Sequence, residues 1–150
     1  MLSHATPAGF VAHNESRGNY LEISLEMFAD SRVDVIMGCG NPGFDTNGDP
    51  TDEGEYRYVG GEGVWRELLA GSTVLDSNEV EDADGDGTPD AWTVIQTPEE
   101  FEALAEAATA TRVLGVPQVA KTLQKERDGD PENAGPYEAV SYTHLTLPTN

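Results

Sequence analysis

Three short apolar runs stand out from a chain that is otherwise mostly polar: Val33-Asp34-Val35-Ile36-Met37, Trp92-Thr93-Val94-Ile95-Gln96 and Arg112-Val113-Leu114-Gly115-Val116. Their β-branched and aromatic content and their short length predict three buried strands. The first runs into Gly38-Cys39-Gly40-Asn41-Pro42-Gly43, a tight glycine-rich loop, a pattern that fits a parallel sheet. Between the runs the spacing becomes helical. Leu21, Leu25 and Phe28, with Ile23 and Met27 beside them, predict a helix that ends before Arg32. Residues 64–69 read as a short helix closed by Gly71. Thr97-Pro98-Glu99-Glu100 predicts a helix start, with Thr97 as cap, proline in the first turn and Glu100 completing a capping box, and the helix extends to Thr109. Near the beginning, Thr6 followed by Pro7 predicts another helix over 7–16. Residues 41–63 and the acidic stretch before Trp92 read as loop. Helix, strand, helix, strand, helix, strand is the order of an α/β layered fold with a mostly parallel sheet.

Composition narrows what such a fold can do. The chain has 150 residues, enough for one core, and 28 acidic residues against two lysines and six arginines, for a formal charge of -20. Phosphate backbones and anionic membrane surfaces would be repelled, so nucleic acid and acidic lipid are excluded as partners. The acidity fits either a solvated, salt-tolerant surface or cation binding, and only local motifs separate the two. No stretch approaches the roughly 20 apolar residues of a membrane span. Cys39 is the single cysteine, which excludes an intrachain disulfide. Met1-Leu2-Ser3-His4 does not begin a basic segment with an apolar core, so no signal peptide is expected at this start.

The end of the chain breaks with the rest. Residues 127–131 read as loop, and 140–150 show neither a period nor the acidic bias of what precedes them. Written as codons, Val140-Ser141-Tyr142-Thr143-His144-Leu145-Thr146-Leu147-Pro148-Thr149 reads as a translated transposase mosaic-end adapter of the kind used in sequencing libraries. Native sequence is therefore expected over 1–139, with 140–150 a non-native tail in which His144 carries no function.

His4-Ala5-Thr6-Pro7-Ala8-Gly9-Phe10-Val11-Ala12-His13-Asn14-Glu15-Ser16-Arg17 resembles the alkaline phosphatase motif, in which a threonine-proline step is followed eleven residues later by arginine. The resemblance extends through Val33-Asp34-Val35-Ile36-Met37-Gly38-Cys39-Gly40, Val113-Leu114-Gly115-Val116-Pro117-Gln118-Val119, Thr122-Leu123-Gln124 and Ala134-Gly135-Pro136-Tyr137-Glu138, covering most of 3–139. It implies a partial domain of the three-layer alkaline phosphatase-like fold and a metal-dependent phosphomonoesterase. Thr6 would be a magnesium ligand, Arg17 the group that grips the substrate phosphate, and His4 a residue beside the magnesium site. The serine nucleophile, the zinc ligands and the remaining magnesium ligands would lie outside these residues, leaving this stretch inactive alone. A phosphomonoester substrate, a homodimer and a periplasmic or secreted location would belong to the full-length enzyme. The predicted helix would separate Thr6 from Arg17 by about 16 Å at about 1.5 Å per residue. Arginine suits a phosphoryl group because its planar fork makes two charge-assisted hydrogen bonds and stays charged at any working pH. Without the resemblance, Thr6 is an N-cap, Arg17 an exposed side chain and His13 a helix histidine.

Two acidic loops carry a different signal. Asp82, Asp84, Asp86 and Asp90 stand at positions 1, 3, 5 and 9 of a run with Gly87 at position 6, the opening half of a calcium loop. Position 12 is Thr93 where an EF-hand carries glutamate, so the run is closer to the short loops of thrombospondin-type repeats. Asp45-Thr46-Asn47-Gly48-Asp49 is a weaker copy. The alternative to a phosphatase is thus an acidic calcium-binding module without catalytic activity, and the alternative to both loops is a solvated acidic turn.

Overall fold

The structure is a computed structural model that describes residues 1–4, 8–106 and 110–121. All three predicted strands form and pair in one parallel sheet. They are β1 (Val35–Met37), β4 (Trp92–Ile95) and β5 (Arg112–Gly115), in the order β1-β5-β4. The central strand β5 is buried throughout, as expected of a strand covered on both faces. Register aligns Ile36 with Leu114 and Trp92 with Arg112, which places these side chains on one face. That face meets the core, where Leu2, Ile23, Met27, Phe28, Val59, Trp65 and Leu68 are buried together.

Helix α1 (Tyr20–Leu25) continues as a π-helical stretch (Glu26–Asp30) and ends before Arg32, as the spacing predicts. Its buried face differs from the expected one. Ile23, Met27, Phe28 and Ala29 are buried, whereas Leu21 is 51% exposed and Leu25 half-buried. The widened turn lets three consecutive residues, Met27, Phe28 and Ala29, face inward, which a regular 3.6-residue period does not allow. Phe28 and Trp92 meet edge to face at 6.3 Å, and the Trp92 indole N–H donates to the Phe28 carbonyl at 2.8 Å.

A 3-10 turn (Tyr56–Val59) interrupts the region read as loop, and helix α2 (Glu62–Leu69) forms where 64–69 reads as helix, starting two residues earlier, with Val64, Trp65 and Leu68 facing the core. The acidic stretch after Gly71 also contains an unexpected hairpin, β2 (Val74–Leu75) and β3 (Asn78–Glu79). Its turn residues Asp76 and Ser77 both have positive φ, at 46° and 66°, without the glycine that usually marks such a turn. Helix α3 (Pro98–Glu106) joins β4 to β5 as a crossover and starts with the predicted capping box: the Glu100 N–H donates to Thr97 Oγ1, and the Thr97 N–H donates to Glu100 Oε2 at 2.9 Å. Residues 107–109 lie outside the described residues, as does everything predicted for 122–150.

The helix predicted over 7–16 is not formed as such. Among the described residues of this stretch, a turn holds at Ala8, with the Ala12 N–H donating to the Ala8 carbonyl at 2.8 Å, and the chain then leaves helical geometry. Asn14 and Ser16 are short polar residues whose side chains take up backbone N–H groups two residues ahead. Asn14 Oδ1 accepts from the Ser16 N–H at 3.2 Å, and Asn14 Nδ2 donates to Glu22 and Glu26 on α1. Tertiary hydrogen bonds to α1 thus replace the later turns.

Candidate functional sites at the two edges of the sheet

The parallel sheet has a carboxyl edge and an amino edge, and the described members of the two groups of sequence-predicted residues lie at opposite ones. At the carboxyl edge, the Leu2 N–H donates to the Cys39 carbonyl at 3.0 Å just beyond β1, and Leu2 packs on Gly38. Ser3 is buried with its hydroxyl donating to the Tyr58 carbonyl at 3.2 Å. These contacts fix the start of the motif where open α/β sheets usually place ligands.

His4 is exposed, and its ring stacks on Tyr20 with centroids 6.1 Å apart. Thr6 lies outside the described residues. Arg17 is exposed in the turn before α1, and no hydrogen bond or ion pair holds it among the described residues. The His13 N–H donates to Glu26 Oε2 at 2.7 Å, so that residue serves the packing of the turn against α1.

Sequence reasoning missed Tyr20, Arg57 and Tyr58, which complete this edge. The Arg57 guanidinium carbon lies 4.7 Å from the Tyr58 ring centroid and 5.5 Å from that of Tyr20, within cation–π range of both. A cavity of about 320 Å³ lies beside it, lined by Gly18, Asn19, Tyr20, Leu21, Glu22 and Arg57. A second, of about 240 Å³, is bordered by Met1, Gly40, Asn41, Arg57, Tyr58 and Lys121. The signal was present in Tyr56-Arg57-Tyr58, a cation between aromatic residues in an otherwise acidic region.

At the amino edge, residues 82–90 form a loop that leads directly into β4. The Asp90 N–H donates to the Glu81 carbonyl at 3.3 Å and closes its base. Asp82 accepts from the Gly85 and Gly87 N–H groups at 2.6 and 2.8 Å, and Asp84 accepts from the Asp86 N–H at 3.0 Å. Gly85 and Gly87 have φ of 81° and 95°, which side chains other than glycine rarely adopt. The result brings one carboxylate oxygen each of Asp82, Asp84 and Asp86 within 4.8 Å of one another, the only such group of three among the described residues. Asp90 turns its Oδ2 to the Ala83 and Asp84 N–H groups at 2.8 and 3.2 Å instead. The bond from the Gly87 N–H, aided by those of Gly85 and Asp86 and by the charge of Arg32, outweighs burial and holds the Asp82 carboxyl below its ordinary range. An all-oxygen anionic cluster of this kind suits a hard divalent cation. The second loop shows no matching cluster. Asp45 Oδ1 accepts from the Asn47 and Asp49 N–H groups at 2.8 and 2.9 Å, forming a turn.

The amino edge is tied to the core by Arg112, the first residue of β5. It is fully buried, with its guanidinium carbon 3.9 Å from the Trp92 ring centroid. It donates to the carbonyls of Ser31 at 2.7 Å, Val33 at 3.2 Å and Glu81 at 3.5 Å. Burial lowers its pKa, opposed by the charges of Asp90, Asp34 and Glu81.

Comparison with protein-family models, curated proteins and solved structures finds no match to this chain.

Proposed function

We propose that this chain is part of a metal-dependent phosphomonoesterase of the alkaline phosphatase type, to which it contributes the phosphate-gripping arginine and a magnesium ligand. The observation that carries the reading is the docking of residues 1–4 on the carboxyl end of β1, which puts the start of the phosphatase-like motif at the ligand-binding edge of a parallel sheet. Arg17 then binds and orients the phosphoryl group through its planar fork, and Thr6 supplies a neutral oxygen to magnesium. His4 stands beside that position. In such an enzyme zinc activates the nucleophile and stabilises the leaving oxygen. Among the described residues the one group of three possible metal ligands is the acidic trio at the opposite edge, so the remaining ligands of such a site would come from elsewhere.

The reading is tested in two steps. DNA flanking this coding segment is expected to encode a serine nucleophile motif upstream and further metal ligands downstream. In the enzyme assembled from that reading frame, Arg17→Ala should weaken competitive inhibition by inorganic phosphate. Unchanged affinity for phosphate removes Arg17 from the site. This chain alone, supplied with zinc and magnesium, should hydrolyse no aryl phosphate above background.

A second reading concerns the amino edge and is favoured by the trio Asp82, Asp84 and Asp86. There the loop binds calcium in a structural role, without catalytic activity. Calorimetric titration should give saturable heat at millimolar calcium that Asp84→Asn removes. Absence of heat leaves a solvated acidic turn.

A further inference from the structure

Arg57 is the strongest feature of the carboxyl edge that the phosphatase-like motif does not use. Its guanidinium is held against two rings, Tyr58 and Tyr20, which are themselves in contact at 4.9 Å, and Tyr20 continues the stack to His4. The Tyr58 side of this platform is rigid, because Tyr58 is buried and its carbonyl is tied to Ser3. Of the guanidinium donors, Nε is ion-paired with Glu55 at 3.3 Å and Nη2 donates to Tyr58 Oη at 2.9 Å. The remaining N–H groups have no partner among the described residues. Glu22, the acid that lines the same cavity, is engaged through Oε2 by Asn14 and Asn19. In a chain of charge -20, Arg57 is the one cation among the residues lining a cavity of about 320 Å³, and stacking holds its guanidinium in place. Little side-chain freedom is left to lose when an oxyanion arrives, which favours binding.

We propose that Arg57, clamped by Tyr20 and Tyr58, binds a phosphoryl oxyanion in the cavity between 18–22 and 55–58. Gly18, the chain neighbour of Arg17, lines that same cavity, although Arg17 itself does not. The existence of the site follows from the Arg57 geometry; the choice of phosphoryl over other oxyanions rests on the phosphomonoesterase reading. Arg57 acts here as a second phosphate-binding group.

The test is a titration of the full 150-residue chain with inorganic phosphate, following the tyrosine ring and arginine Nε–H signals by NMR, with sodium chloride at matched ionic strength as the blank. Saturable shifts at Tyr20, Arg57 and Tyr58 are expected, with a dissociation constant on the order of 1 mM. Arg57→Lys should weaken binding about tenfold, because an ammonium offers a point charge in place of a planar fork. Arg57→Ala should abolish it, with an unchanged circular dichroism spectrum showing that the fold persists. Equal binding by Arg57→Ala overturns the site, as do identical shifts with chloride; acetate binding as well as phosphate overturns the ligand class. The two readings fail separately. Phosphate binding lost only in Arg17→Ala removes the Arg57 site and keeps the phosphatase reading, whereas a flanking frame without a nucleophile removes that reading and leaves the Arg57 titration intact.

Discussion

Replacing Arg112 by alanine should be among the most damaging single changes in this chain, and the structure gives the size of the loss. The side chain holds three carbonyls from two segments distant from it in sequence, two of them, Ser31 and Val33, at 2.7 and 3.2 Å, while the Glu81 contact at 3.5 Å is marginal. Hydrogen bonds to a charged donor contribute about 1.5–3 kcal/mol each, so the two good ones together are worth roughly 3–6 kcal/mol. Stacking on Trp92 at 3.9 Å adds about 1–2 kcal/mol. Opposing this, a buried guanidinium has lost hydration worth several kcal/mol, and its lowered pKa has the sign of that penalty. The net expectation is a loss of about 3–4 kcal/mol, because removing the cation leaves buried carbonyls unpaired while regaining only part of the desolvation. Against a typical total of about 5–15 kcal/mol, that is a large fraction. Urea unfolding followed by tryptophan fluorescence and circular dichroism measures it, and with a slope of about 1–3 kcal/mol per M the midpoint should fall by at least about 1 M. Arg112→Lys should recover less than half, since one ammonium cannot reach carbonyls fixed around a planar fork. A midpoint within about 0.3 M of the parent for Arg112→Met would refute the reasoning, for it would mean that the carbonyls do not need the guanidinium.

Other changes separate local from tertiary determinants. Asp82 has a folded pKa below its unfolded value of about 3.9, so its contribution to stability is complete above that pH and is lost as pH falls through the lowered value. Asp82→Asn should therefore flatten the acid limb of a stability-versus-pH curve; an unaltered limb would discount the hydrogen bonds from Gly85 and Gly87. Thr97→Ala should destabilise by about 1 kcal/mol and raise amide exchange across 98–106, because α3 depends on its cap more than on burial. Equal exchange in the variant would remove the capping box as the cause. Gly54→Ala should lower stability by at least about 3 kcal/mol in the same urea assay, since an added Cβ would stand 1.5 Å from the Pro42 carbonyl oxygen; tolerance would show that the 41–55 loop repacks freely.

Much of the fold was determined by local chemistry that the sequence states directly. The apolar blocks at 33–37, 92–96 and 112–116 became strands because β-branched residues bounded by glycine and polar residues suit a short buried strand. Thr97 and Glu100 fixed the start of α3 through hydrogen bonds that span three residues. The alternating aspartates at 82–86 formed their cluster because each bonds to N–H groups two to five residues ahead. Tertiary structure decided what depends on distant partners. The strand order β1-β5-β4, the inward turn of Met27, Phe28 and Ala29 in place of Leu21, and the single turn kept near Ala8 all follow from surfaces brought together across many residues. Arg112 shows the contrast most clearly, since a charged residue at the start of a strand reads as exposed until carbonyls from 31, 33 and 81 converge on it. The Arg57 platform and the placing of the two candidate sites at opposite edges belong to the same class. Neither can be read from spacing, because each arises only where segments separated by tens of residues meet.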